Sequence, residues 1–120
     1  MISVVMVTAR DPMAVAALLE ELVPSAVNGL VREVILPTVE STPETRDIAD
    51  DAGATLIDGT FDAAVYAAKS RWVLILEASL PRQAGWLEKV ARHVSRGSGE
   101  CRIGGPWPWS ASPGVLKPRG

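Results

Sequence analysis

The feature that most constrains this chain is a nearly unbroken β-branched run, Ile2-Ser3-Val4-Val5-Met6-Val7, ending in polar Thr8 and followed by Asp11-Pro12. A strand buried on both faces reads as continuous apolar sequence, whereas a half-exposed strand alternates. Asp11 is placed to cap a helix whose first residue is Pro12, and Val15, Leu18, Leu19 and Leu22 recur at helical spacing until Pro24, which predicts the stop. A buried strand feeding an amphipathic helix is the start of a βαβ unit, so the chain is committed early to a parallel sheet with helical layers.

The pattern repeats. A second strand is predicted over about 32–36, and Thr42 then caps a helix that opens on Pro43 and ends at Gly53. Ala54 to Ile57 reads as a third strand, and Asp62 as the cap of a short helix through about Lys69. Trp72-Val73-Leu74-Ile75-Leu76 is a fourth, buried strand, with a last helix over about 83–95. Four strands alternating with four helices predict a doubly covered, mainly parallel sheet. Beyond Arg96 the sequence is rich in Gly, Pro and Trp and predicts a loop or extended tail, giving a division into 1–96 and 97–120. The tail is also expected as a cover for the open edge beside the fourth strand. The alternatives for that edge are a homodimer or a protein partner.

With 120 residues there is room for one small core and none for a second lobe. The net charge of −2 argues against nucleic acid as the main partner, but the charge is unevenly spread. Residues 1–88 carry six basic and thirteen acidic side chains; residues 89–120 carry six basic and one acidic. That basic end, with Trp107 and Trp109, suits either contact with phosphates or a membrane surface, or plain solvation. A single cysteine, Cys101, excludes an internal disulfide, and the first apolar run is too short for a signal segment or a membrane span. The expectation is a cytoplasmic protein.

Ligands of open parallel α/β sheets sit beyond the carboxyl ends of the strands. That selects Thr8-Ala9-Arg10, Pro37 to Glu40, Asp58-Gly59-Thr60 and Glu77-Ala78-Ser79. Glu77 follows five apolar residues, so its carboxylate reads as a hard-metal ligand or general base, or as a solvated strand end. Arg10 reads as a phosphate or carboxylate clamp, or as an exposed cation. No glycine lies between Val7 and Asp11, which excludes a dinucleotide fingerprint and a Walker loop there. His93, the only histidine, falls in the last helix and is assigned to packing or surface; Asp47, Asp50 and Asp51 form a solvated acidic face.

Taken together, the stretches Ile2 to Thr8, Leu30 to Ile35, Ser41-Thr42 with Thr45, Ala49 to Ala54, Ala63-Ala64, Ala67-Ala68, Trp72 to Leu76, Pro81 and Gly85-Trp86 resemble the donor-binding half of a bacterial family 2 glycosyltransferase of the GT-A fold. The resemblance spans about residues 2–94. It implies a Rossmann-like three-layer sandwich, a nucleotide-diphosphate sugar over the switch point between the first and fourth strands, and, in an active enzyme, Mg2+ or Mn2+ bridging the phosphates. On that basis Thr8, Arg10, Thr38 and Glu40 line the donor pocket and Glu77 with Ser79 falls on the metal motif. Ser79 stands where such enzymes carry a second carboxylate, Thr38 where they carry a base-reading aspartate, and Val39-Glu40 where they carry two glycines. The half of the fold that brings the acceptor site has no counterpart here. Two functions therefore compete: a sugar transferase with an impaired donor and metal site, and a non-catalytic remnant that binds a nucleotide or a protein.

Overall fold

A computed structural model describes residues 1–97 and 99–119. The elements run β1 (Ile2–Val7), α1 (Pro12–Val27), β2 (Val31–Pro37), a 3-10 turn (Thr38–Glu40), α2 (Pro43–Asp51), β3 (Thr55–Ile57), α3 (Phe61–Ala67), β4 (Trp72–Glu77), α4 (Trp86–Arg96), β5 (Cys101–Ile103) and β6 (Gly114–Pro118). They form one six-stranded sheet in the order β3-β2-β1-β4-β6-β5. The first four strands are parallel, and β6 runs antiparallel between β4 and β5. The result is a mainly parallel α/β sheet flanked by helices, a Rossmann-like arrangement.

Local chemistry accounts for the helix starts. Asp11 accepts from the Met13 N–H ahead of Pro12, and Thr42 and Thr45 form a reciprocal capping box ahead of Pro43. Side-chain periodicity then divides the core between the faces of the sheet. Ile2, Val4 and Met6 point toward α1, α2 and α4, meeting Val15, Leu18 and Leu22, Ala49, and Trp86 and Val90. Val5, Ile35 and Val73 point the other way and form a smaller cluster with Ala64 of α3 and Ala68 just past its end, flanked by Val7, Ile57, Val65 and Ile75. The sheet is three-layered but lopsided, since a seven-residue helix covers the second face over β1 and β2.

Several expectations are corrected. Pro24 does not stop α1, which runs on to Val27 with the Asn28 N–H bonded to the Pro24 carbonyl; a proline so near the end forfeits a single ladder bond while the buried stripe holds the helix. Thr60, not Asp62, occupies the N-cap of α3, whose helix ends at Ala67, and α4 begins at Trp86 rather than Gln83. The largest correction concerns the segment after Arg96, predicted as loop or tail. It supplies β5 and β6, and β6 pairs along β4 from Trp72 to Leu76. Ile103 and Leu116 are fully buried in the main core, so long-range pairing overrides a Gly- and Pro-rich composition. Gly114 allows the approach, because a Cβ there would sit 2.5 Å from the Ile75 carbonyl oxygen. The edge beside β4 is therefore covered by β6, while Trp107 and Trp109 stay exposed. Ser98 and Gly120 of the predicted tail lie outside the described residues. Among the described residues no helix is long and apolar enough to cross a membrane.

Candidate functional site

The connection from β1 leads through α1 to β2 on one side, while β4 lies on the other, so the strand order reverses between β1 and β4. In open parallel α/β sheets that switch point, at the carboxyl ends of the strands, is the expected ligand crevice. There, just past the end of β1, Thr8 has φ +52°, the only non-glycine residue in the left-handed region among those described. A β-branched side chain resists that conformation, and such strain persists only where surrounding bonds enforce it.

The enforcing bonds come from the loop after β2. The Thr8 N–H donates to Glu40 Oε1 at 2.9 Å and the Ala9 N–H to the Glu40 carbonyl at 2.8 Å, so one residue receives two successive amides. Ala9 and Ser41 extend the β1–β2 contact by a parallel bridge. Arg10 reaches back across the same loop, its Nη2 donating to the Val39 carbonyl at 2.9 Å. Thr38 links onward to the third strand: its hydroxyl donates to Asp58 Oδ1 at 3.1 Å and accepts the Gly59 N–H at 3.0 Å.

Of the residues selected from sequence, Thr8 and Glu40 are bonded to each other, Arg10 to the Val39 carbonyl between Thr38 and Glu40, and Thr38 to Asp58 and Gly59, all at the carboxyl ends of β1, β2 and β3. Arg10 is exposed and spends one of five guanidinium N–H groups internally, which leaves the others facing solvent. Arg46 was not among the predicted residues. From α2 its Nη1 contacts the Thr38 carbonyl and Ser41 Oγ, each at 3.3 Å, placing a second cation beneath the loop. Its one sequence signal is a position four residues after the Thr42 cap, which points the side chain back toward the loop.

The β4 side is different. Glu77 is the last residue of the strand, its N–H bonded to the Pro113 carbonyl at 2.7 Å, and the next amide, Ala78, returns to the Val7 carbonyl at 3.0 Å. The Glu77 side chain faces a groove shared with Val7, Arg102, Ser112 and Gly114. Ser79 is exposed in the following turn. Mg2+ and Mn2+ need several hard oxygen donors. One carboxylate with a guanidinium on the same groove, and a neutral hydroxyl, are a poor donor set for either ion. Among the described residues no cluster of three carboxylate, histidine or cysteine side chains is placed to hold a metal.

His93 packs edge-on against Trp72 with ring centroids 5.6 Å apart and donates from Nε2 to the Gly99 carbonyl, near the amino end of β4 and away from the crevice. Asp47, Asp50 and Asp51 are exposed on α2. Comparison of the chain with protein-family models and with curated proteins returns no match to either.

Proposed function

We propose that the crevice between β1 and β4 is a nucleotide-diphosphate-sugar site, and that the chain is a donor-binding half of the family 2 glycosyltransferase kind with an impaired transfer site. The observation that carries this reading is the strand reversal with strained Thr8 at its mouth. It sits where the resemblance expects the donor, and the loop that enforces the strain carries Arg10 and Glu40.

In this reading the free guanidinium donors of Arg10 meet the diphosphate, and Arg46 holds the Thr38–Ser41 backbone against the first strand. Thr38 and Asp58 present a hydroxyl and a carboxylate toward the nucleoside. Glu77, on the opposite wall, faces the sugar side of the crevice. Nothing in this arrangement deprotonates an acceptor hydroxyl, so transfer requires a second half supplied from elsewhere.

A second reading is favoured by one specific observation: the Glu40 carboxylate is already taken by the Thr8 N–H and the Thr38 hydroxyl by Asp58 and Gly59, which is the state of a site that has become structural. In that case the crevice is a remnant and the chain works as an interaction module. Thermal denaturation with UDP-, GDP- and dTDP-sugars, each with and without Mn2+, separates the two. A donor at a hundredfold its dissociation constant stabilises by about 2.7 kcal/mol, several degrees for a domain of this size. The donor-binding reading expects such a shift, lost in Arg10→Ala and insensitive to Mn2+. Absence of a shift with every donor at millimolar concentration favours the remnant.

A further inference from the structure

The loop from Gly104 to Pro113 joins β5 to β6 and lies at the same end of the sheet as the crevice. It is firmly built. The Gln83 N–H donates to the Gly104 carbonyl at 2.7 Å, Ser112 Oγ to the Ile103 carbonyl at 2.7 Å, and the Ser110 N–H to the Trp107 carbonyl at 3.0 Å. Gly105 is required for the fold of the loop, since a Cβ there would lie 2.5 Å from Ser110 Cβ. This scaffold holds Trp107, between Pro106 and Pro108, and Trp109, after Pro108, out in solvent at 62% and 82% exposure, stacked with centroids 5.9 Å apart and planes within 6°. Two large indoles held out in water, when the other two, Trp72 of β4 and Trp86 of α4, are buried, mark a contact surface.

The charged side chains that line the groove beside Trp107 are basic, while Glu77 shares a second groove with Arg102. Lys89 and Arg102 border the same groove as Trp107, and Lys89 begins a row with Arg92 and Arg96 along the α4 side that faces β5. Residues 89–120 hold six basic side chains and one acidic, Glu100, whereas residues 1–88 hold six and thirteen. Four of the six in 89–120, Lys89, Arg92, Arg96 and Arg102, gather on the α4–β5 side with the exposed tryptophans at its head, while Lys117 and Arg119 lie beside Asp62 and Tyr66 of α3.

We propose that this α4–β5 side, led by Trp107 and Trp109, docks on an anionic phospholipid membrane surface. Indoles sit at the headgroup level, where an apolar body and a polar N–H are both accommodated, and lysines and arginines beside them are drawn to anionic lipid. An extended polyanion such as RNA is disfavoured by the acidic bulk of the chain. Docking does not depend on the crevice binding a nucleotide, though it would set the mouth of the crevice close to the lipid headgroups.

The test uses the full chain with vesicles of phosphatidylcholine alone and with 30% phosphatidylglycerol, read by flotation and by tryptophan emission. Trp72 and Trp86 are buried, at 4% and 6% exposure, so the solvent-exposed part of the emission reports Trp107 and Trp109. Anionic vesicles should bind at least about tenfold more tightly than neutral ones, with a blue shift. Each of Lys89→Gln and Arg92→Gln should weaken binding by about fivefold. The pair Trp107→Ala and Trp109→Ala should abolish the blue shift and most of the binding, while Trp107→Phe with Trp109→Phe retains the greater part and controls for folding. No binding at millimolar lipid overturns the proposal. So does binding that the alanine pair leaves intact, binding to RNA as tight as to the anionic vesicles, or a solution dimer in which these tryptophans are already buried.

Discussion

The two ends of the sheet are both held by side-chain hydrogen bonds, but the bonds are of different kinds. At the amino end Ser3, fully buried, donates to Glu33 Oε2 at 2.6 Å and accepts the Ser70 N–H at 3.1 Å, while the same carboxylate oxygen takes the Lys69 N–H at 2.7 Å. That network pins the turn between α3 and β4 to β1 and β2. Ser3 and Ser70 are buried, so losing the Ser3 hydroxyl strands the Ser70 N–H away from water, while Glu33 is half-buried and its bond to Lys69 reaches the surface. At the carboxyl end the Thr8–Glu40 and Arg10–Val39 bonds lie at the surface, where water replaces a lost partner. The amino end is thus a structural fastening. The carboxyl end holds a strained residue with bonds that are individually cheap to break, as a site poised for a ligand does.

The sharpest challenge to this contrast is Glu33→Ala. It removes the acceptor of two hydrogen bonds to a charged group and is expected to cost about 2–3 kcal/mol in urea unfolding. Ser3→Ala should cost about 1–2 kcal/mol, because the Ser70 N–H then loses its acceptor in the interior. At the opposite end the sign changes. Thr8→Gly relieves the left-handed strain and, after the added flexibility of the unfolded chain, should stabilise by up to about 1 kcal/mol; a destabilisation would remove the claim of strain. Glu40→Gln keeps a side-chain carbonyl for the Thr8 N–H and should leave stability within about 0.5 kcal/mol. Equal losses at the two ends would erase the distinction.

Much of this was legible in the sequence because local and tertiary signals agree. The run Ile2 to Val7 cannot be a surface strand, and Asp11-Pro12 and Thr42-Pro43 each combine a cap with a proline where its missing N–H costs nothing. Strand ends alone selected the stretches that carry Thr8, Arg10, Thr38 and Glu40, since parallel strands align their carboxyl ends, and the resemblance singled out those four within them. What was not legible depends on contacts distant in sequence. Strands β5 and β6 are short and surrounded by glycine and proline, and only pairing with β4 and burial of Ile103 and Leu116 make them strands. Thr8 gives no local hint of its positive φ, because Glu40, thirty-two residues away, imposes it. The role of Arg46 is hidden for the same reason.

The central claim is that the carboxyl-end wall, and not the amino-end network, receives a ligand. Titration of the 15N-labelled chain with UDP-, GDP- and dTDP-sugars, followed amide by amide, tests it directly. The account predicts that with at least one donor the amides of Thr8, Ala9, Arg10 and Val39 shift together in a saturable way while those of Lys69 and Ser70 stay in place. Amides at Thr8 to Arg10 that do not move with any donor at millimolar concentration, or a response centred on Lys69 and Ser70, would contradict it.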